Sequence, residues 1–283
     1  MDKKIFLKTS LIAILFPVMC GVFFKTTKSF TEAYKQHIKV NEIKEITREV
    51  ELSNDEVLEK ILENAKYNEK AYKILDKKEL YPRELLELAS KNQEAIDFVA
   101  DHLNRKEDTV ETSVVKGYKE GEIPLFLQWD KKWGYDKYGS NYIALNGCGP
   151  TSLAMVIVGL TGNTDINPKV IADYSYENDY LVEGVGSKWS LMREGAKEFG
   201  VKSNQIPIKE ETIIKALKEG QPIIATMKPG DFTDTGHYIV LTGIDENNKI
   251  TVNDANSIIK SNKTWDVQVF LEQAKNLWAF ECI

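Results

Sequence analysis

The most constraining stretch of the sequence is Asn146-Gly147-Cys148-Gly149-Pro150-Thr151-Ser152, which runs directly into Leu153-Ala154-Met155-Val156-Ile157-Val158. A single cysteine stands in a glycine-rich turn just before an apolar run of helical length. Proline suits the first turn of a helix, where its missing N–H would have no partner anyway. The spacing therefore predicts a helix that starts at Cys148. The N-terminus of a helix carries unsatisfied N–H groups and a partial positive charge. That environment favours the thiolate, which is the nucleophilic form. Gly147 and Gly149 are expected to leave room for a substrate backbone. By itself the stretch also fits a small buried cysteine at a loop-to-helix joint, a common fate of free cysteine.

Composition narrows the chemistry. The chain has 283 residues with a formal net charge of −6, so it lacks the basic footprint of a nucleic-acid binder. Cys20, Cys148 and Cys282 are three in number and far apart, which makes neither a disulfide framework nor a metal-ligand pattern. The histidines are His37, His102 and His237. There is no HExxH and no glycine-rich phosphate loop, which argues against a zinc hydrolase or a nucleotide enzyme. No cofactor is implied.

The chain divides into four stretches. Residues 1–24 place Lys3, Lys4 and Lys8 before an apolar run from Leu11 to Phe24, the layout of a signal peptide or membrane anchor. The residues before Cys20 are a poor lipidation motif and a poor cleavage site, so an uncleaved anchor is the expectation. The lysines favour an inward N-terminus and an outward body. Residues 25–105 form a helical region rich in Glu, Lys, Leu and Ala. Within it Ser53 and Glu56 read as a capping box, and Pro82 opens a further helix. His37 and His102 are expected on its surface. This region serves either as a spacer from the membrane or as a cap docked on the C-terminal domain. Residues 106–121 are polar and read as a linker. Residues 122–283 form that chemistry-bearing domain.

In the C-terminal domain helices come first: from Cys148, from Asn167-Pro168, from a cap at Ser187 through Gly200, and from Lys209 to Glu219. Short β-rich runs come next at Gln221–Met227, His237–Gly243 and Lys249–Val252, in the manner of an antiparallel sheet. One more helix is expected over Asp266–Leu277 and a closing strand over Trp278–Cys282. Helices followed by a strand meander give an α+β fold. His237 opens one strand and Asp254 ends the next, with the turn Asp245-Glu246-Asn247-Asn248 between them. Antiparallel pairing then brings the carboxylate within reach of the imidazole. A cysteine at a helix start, a histidine and a carboxylate supply a nucleophile, a base and an orienting group.

The motifs "LQWDKKWGYDKYG", "NGCGPTSLAMVIVGLTG", "GHYIVLTGID" and "ITVNDAN" together resemble the papain-like cysteine peptidases related to the bacteriocin double-glycine leader peptidases. The resemblance covers about 125–283. It implies a papain-like fold with a helical half and an antiparallel sheet. It also implies Cys148 as nucleophile, His237 as general base and Asp254 as the residue that orients it. Gln128 takes the position of the family's oxyanion-hole glutamine. Ala255 stands where a proline commonly follows the aspartate. Transporter-fused members carry membrane and ATPase domains that this sequence lacks, so a double-glycine leader is not the expected substrate.

The expected function is thiol-dependent hydrolysis of a peptide or amide bond, on a peptide, protein or cell-wall peptide, outside a bacterial membrane or secreted. Acyl transfer to an amine on the same triad is an alternative. A binding module that keeps the cleft without turnover is another. Three further details concern the cleft. Trp129, Trp133, Tyr135 and Tyr138 either line it or pack the core. Pro229–Gly236 reads as a flap or a plain surface loop. Cys282 is expected in the core.

Overall fold

A computed structural model describes residues 32, 35–105, 118–119 and 121–283. The N-terminal apolar segment and nearly all of the 106–121 linker lie outside these residues. Among the described residues no helix is long and apolar enough to cross a membrane. The chain forms two compact units, one through Lys78 and one from Glu79 to Ile283.

The first unit contains helix α1 over 35–53, α2 (Glu56–Asn64) and α3 (Ala71–Asp76). Val50, Leu58, Ile61, Ile74 and Leu75 are buried. Asn54 breaks α1 from α2 with a left-handed φ of 50°, a conformation Asn tolerates well. The cap differs from the Ser53–Glu56 box that the sequence suggests. Asp55 is the N-cap, accepting from the backbone N–H groups of Val57 and Leu58. Ser53 belongs to the preceding helix and donates to the Val50 carbonyl. The cap lies two residues later than the box pattern puts it, because α1 runs through Ser53 and the turn takes up Asn54.

The second unit opens with α4 (Arg83–Lys91) and α5 (Ile96–Asp101). A small hairpin, β1 (Lys137–Tyr138) and β2 (Asn141–Tyr142), leads into the short α6 (Ile143–Asn146). Next come α7 (Cys148–Thr161) and α8 (Pro168–Glu177). A second hairpin, β3 (Leu181–Val182) and β4 (Gly186–Ser187), precedes α9 (Ser190–Arg193). The remaining elements build the sheet and its outer cover. They are β5 (Val201–Ile206), α10 (Glu210–Lys218), β6 (Ile223–Met227) and β7 (His237–Ile244). After them come β8 (Ile250–Asp254), α11 (Ile258–Ser261), β9 (Thr264–Trp265), α12 (Val267–Gln273) and β10 (Ala274–Cys282).

The sheet has six antiparallel strands in the order β5-β10-β6-β7-β8-β9. Its two faces feed two cores. One holds Ile224, Val240, Trp278 and Phe280 with α7 residues such as Leu153 and Val156. The other holds Ile223, Ile239, Leu241 and Ala279 with Ile213, Leu217 and Phe270 of α10 and α12. Strand β6 is covered on both sides and every residue in it is buried, which is why it is apolar on both faces except for Thr226. Helix α7 is buried from Gly149 through Val158. A helix apolar on every side has to be covered on every side.

The helical half followed by an antiparallel sheet is the α+β order expected from the sequence. Four details differ. Ser187 caps no helix; it sits in β4, and its hydroxyl pairs with that of Tyr138 at 2.8 Å. The stretch from Ser190 to Phe199 is a four-residue α-helix followed by a tight 3₁₀ run. Strand β10 begins at Ala274, so the preceding helix stops at Gln273. Ala274-Lys275-Asn276-Leu277 is too short and too mixed in polarity to declare a period, and pairing with Met227, Thr226 and Ala225 makes it strand. Strand β5 has no counterpart in the sequence reading. Lys202, Asn204 and Gln205 make it polar, as suits a strand at a sheet edge.

At α8 the sequence signal and the structure coincide. Asn167 Oδ1 accepts from the N–H groups of Lys169 and Val170 at 2.9 and 3.1 Å, and Pro168 follows it. Asn167→Ala is expected to cost about 1 kcal/mol of stability, measured by urea unfolding. A change within error would show that the cap contributes nothing.

Candidate active site

Gly147 is the N-cap of α7 and Cys148 its first residue. The helix lies against β7, so its first turn delivers the half-buried Cys148 to the start of that strand. The glycines beside it serve a purpose other than the one the sequence suggests. A Cβ on Gly149 would lie 2.4 Å from Ser187 Oγ and 2.7 Å from Ser187 Cβ. One on Gly147 would lie 2.5 Å from the Ile143 carbonyl oxygen. The space they leave is filled by the protein's own β4 and α6.

His237 is the first residue of β7, paired across to Met227. The hairpin turn forms at Asp245, whose carboxylate accepts from the N–H groups of Asn247 and Lys249, both at 2.8 Å. Its register sets Asp254 opposite Ile239, two residues along from His237. That diagonal is within reach of an imidazole, and His237 Nε2 lies 2.7 Å from Asp254 Oδ1. Asp254 is only 1% exposed, and the same Oδ1 accepts the Asn256 N–H at 2.8 Å. With Nε2 engaged, Nδ1 is the ring nitrogen left to face a thiol.

The electrostatics derive from this geometry. Burial alone would lower the pKa of His237. The charge and hydrogen bond of Asp254, followed by the contact with Cys148, outweigh burial and push it up to about 10. Burial would raise the Cys148 thiol. The hydrogen bond to His237, its charge, and backbone hydrogen bonds at Tyr238 and Gly149 outweigh that and hold the thiol below its usual range. Both shifts favour a thiolate beside an imidazolium.

Gln128 is 4% exposed. Its backbone N–H donates to the Ala255 carbonyl at 2.7 Å, and its side-chain Nε2 donates to the Ala144 carbonyl at 2.7 Å. Asn253 Nδ2 donates to the carbonyls of Ile123 and Pro124 at 3.0 and 3.1 Å. The 123–128 stretch therefore lies along residues 253–255, and the strand that ends at Asp254 also fixes Gln128. Ala255 contributes a carbonyl here, which a proline in its place would supply equally. Gln128 Oε1 is buried without a partner.

Gln128, Cys148 and His237 line a cleft of about 580 Å³, with Asp254 behind the histidine. The four aromatic residues near Gln128 do not line it. Trp133 and Tyr138 are core, and Tyr135 stacks on Phe98 with ring centres 4.1 Å apart. Trp129 Nε1 donates to the Asn256 carbonyl at 3.1 Å. Residues 230–236 do line the cleft, but the loop is pinned. The Asp231 N–H donates to Gln273 Oε1 at 2.8 Å, Lys260 Nζ donates to the Phe232 carbonyl at 3.2 Å, and the Phe232 ring lies among Trp265 and Phe270.

The sequence motifs do not announce the opposite wall. It comes from α4 and its end, at Glu84, Glu87, Leu88, Lys91 and Asn92, and from Val185 at the tip of the β3–β4 hairpin. Val185 is 81% exposed, unusual for an apolar side chain at the mouth of a cleft. Two other sequence readings are corrected. Cys282 is exposed, with its thiol donating to the Leu160 carbonyl, because β10 runs out of cover at its last residues. His102 is half-buried among the rings of Tyr81, Tyr135 and Tyr142. Burial, then Arg105 and Lys137, lowers its pKa. His37 is exposed. Among the described residues no group of three His, Cys, Asp or Glu side chains is placed to hold a metal ion.

A model of the Peptidase_C39 like family matches residues 120–280. Among solved structures, the chain is similar to a double glycine motif protease from an AMS/PCAT transporter, crystallised in complex with the leader peptide. Identity is 20%, 59% of this chain and 96% of that chain are covered, and the TM-score is 0.35. No curated protein gives a match.

The close approach of β4 to the first turn of α7 can be tested. Gly149→Ala is expected to destabilise the protein by about 1–3 kcal/mol through overpacking and to displace Cys148. Urea unfolding and thiol reactivity measured together check this. Wild-type values of both would mean that Ser187 yields freely.

Proposed function

The chain belongs to the Peptidase_C39 like family, whose function is of the cysteine-peptidase type, and we propose that it hydrolyses peptide bonds with Cys148 as nucleophile. The observation that best supports this is the hydrogen bond of His237 to the buried Asp254 beside a thiol held below its usual range. In this reading Cys148 thiolate attacks the scissile carbonyl carbon, and the carbonyl oxygen takes up the negative charge. The Cys148 N–H and the side-chain amide of Gln128 donate to that oxyanion. Gln128 Nε2 carries two hydrogens, one of which is used on Ala144.

Collapse of the tetrahedral adduct breaks the C–N bond, and the His237 imidazolium gives its proton to the leaving amine. Water then attacks the thioester. His237 takes a proton from it, the C–S bond breaks, and the acid is released with the thiolate restored. Asp254 holds Nε2 and so keeps Nδ1 aimed at the sulfur. Basic residues before an apolar run at the N-terminus motivate a location on the outer side of a membrane. Protease added to intact cells should then digest the domain; protection until lysis overturns that placement.

Cys148→Ala is expected to abolish peptide release, measured by comparing peptides from cells carrying wild-type and variant protein. Gln128→Ala is expected to lower kcat by about 10²–10³-fold, the effect of losing one oxyanion donor. Asp254→Ala should weaken turnover less than the loss of Cys148. Undiminished turnover in Cys148→Ala would sink the mechanism.

The two shifts set the pH dependence. Activity requires the thiolate, so it falls on the acid side as Cys148 is protonated, below the ordinary thiol range near 8.5. On the alkaline side it falls as His237 loses its proton near pH 10. The raised imidazole also contributes stability that is full below its ordinary pKa and is lost as pH rises through about 10. A kcat/KM profile with a single rise near the ordinary thiol pKa would contradict this pairing.

A further inference from the structure

The family match begins at residue 120, yet the loop that carries Asp254 is held from outside it. Immediately after Asp254 the chain turns through Ala255 and Asn256 into α11, with Ser257 as its N-cap. Glu94, in the turn between α4 and α5, caps the same helix from across the molecule. Its Oε1 accepts the N–H groups of Ile258 and Ile259 at 2.9 and 3.1 Å, and its Oε2 accepts the Ser257 hydroxyl at 2.5 Å. Asn92 donates from Nδ2 to the Asn256 carbonyl at 2.7 Å and to Asn256 Oδ1 at 3.0 Å. Asn256 in turn donates its N–H to Asp254 Oδ1, the oxygen that holds His237.

These contacts form one chain of hydrogen bonds. It runs from Glu94 and Asn92, through Ser257 and Asn256, to the carboxylate behind the imidazole. Glu94 satisfies N–H groups that a helix start leaves without intrahelical partners, and a carboxylate at that end is favoured by the helix dipole. Local sequence does not hold this loop by itself. Asn253 ties it to 123–124, Gln128 ties it through Ala255, and the α4–α5 turn ties its far side. The face of α4 beside Asn92 also lines the cleft through Leu88.

We propose that the α4–α5 segment is part of the active site, with Asn92 and Glu94 as positioning residues that fix the Asp254 loop and through it the orientation of His237. The inference rests on the Cys148–His237–Asp254 reading. It adds that the residues matched by the family are not sufficient for that site in this protein. When Glu94 or Asn92 lets go, α11 loses its cap and Asn256 its anchor. The Asp254 carboxylate is then free to rotate off the imidazole, the imidazolium is less stabilised, and the thiolate is harder to form.

The test uses the full chain and needs no substrate. Alkylation by a thiol-selective reagent is followed against pH and read by mass spectrometry at the Cys148 peptide. Glu94→Gln keeps the shape of the side chain but loses the carboxylate. Asn92→Asp keeps the acceptor that holds the Glu94 N–H but loses the donor to Asn256, and it carries the test if Glu94→Gln does not fold. Both are expected to raise the pH midpoint of Cys148 labelling by about one unit, in the direction that Asp254→Asn moves it. A wild-type midpoint in both variants, alongside a shifted Asp254→Asn, overturns the positioning role and leaves the triad standing. A wild-type profile in His237→Ala overturns the triad itself.

Discussion

The structure of the larger unit depends on burying α7. From Gly149 to Val158 the helix offers no polar side to water, so it is stable only as an interior element. The sheet covers one side of it, and α6, α8 and the β3–β4 hairpin cover much of the rest. That burial determines where Cys148 is held. The N-terminal turn of a buried helix is fixed more firmly than a surface turn, and its first residue is Cys148. The tight approaches at Gly147, Gly149 and Gly159 are consequences of the same packing: each would force a Cβ into α6, into β4 or into Ile123.

A second constraint is the cost of burying charge. Asp254 is almost fully covered and His237 nearly so. A buried carboxylate without partners is strongly unfavourable, so the hairpin register that pairs Asp254 with His237 is stabilised by electrostatics as well as by backbone hydrogen bonds. The hydrogen bond at Nε2 fixes the ring, which leaves Nδ1 as the nitrogen facing the thiol. The same covering explains why so many residues converge on the end of β8 and the short stretch after it. Asn253, Ala255, Asn256 and Ser257 each bind something far away in sequence. A loop behind a buried ion pair cannot rely on water to satisfy its backbone.

Much of this is legible in local residue patterns. The Asn167-Pro168 start, the Asp245 turn, the apolar β6 and the start of α7 at Cys148 are all short-range features, set by caps, turn chemistry and hydrophobic runs. Readings that needed knowledge of a neighbour went astray. Ser187 looks like a cap but answers to Tyr138, and Ser53 looks like one but the turn residue beside it displaces the cap to Asp55. The tryptophans and tyrosines after Gln128 fit a cleft lining or the core equally well by sequence, and only the packing places Trp133 and Tyr138 in the core and Tyr135 on Phe98. His102 looks like a surface residue because its own helix is polar, while the rings around it come from Tyr81, Tyr135 and Tyr142.

The sequence by itself determined the α+β order, the helix that begins at Cys148, and the hairpin whose ends bear His237 and Asp254, because each is set within a few residues by periodicity, capping or turn chemistry. Only the tertiary structure decided that the glycines flanking Cys148 accommodate the protein and not a ligand. It alone decided that Gln128 is laid against Ala255, and that Asn92 and Glu94, about 160 residues before the loop they hold, close the site from behind. The physical reason is the same in each case. Sterics and hydrogen bonds between segments distant in sequence depend on how whole elements pack, and a one-dimensional pattern carries no record of which elements meet.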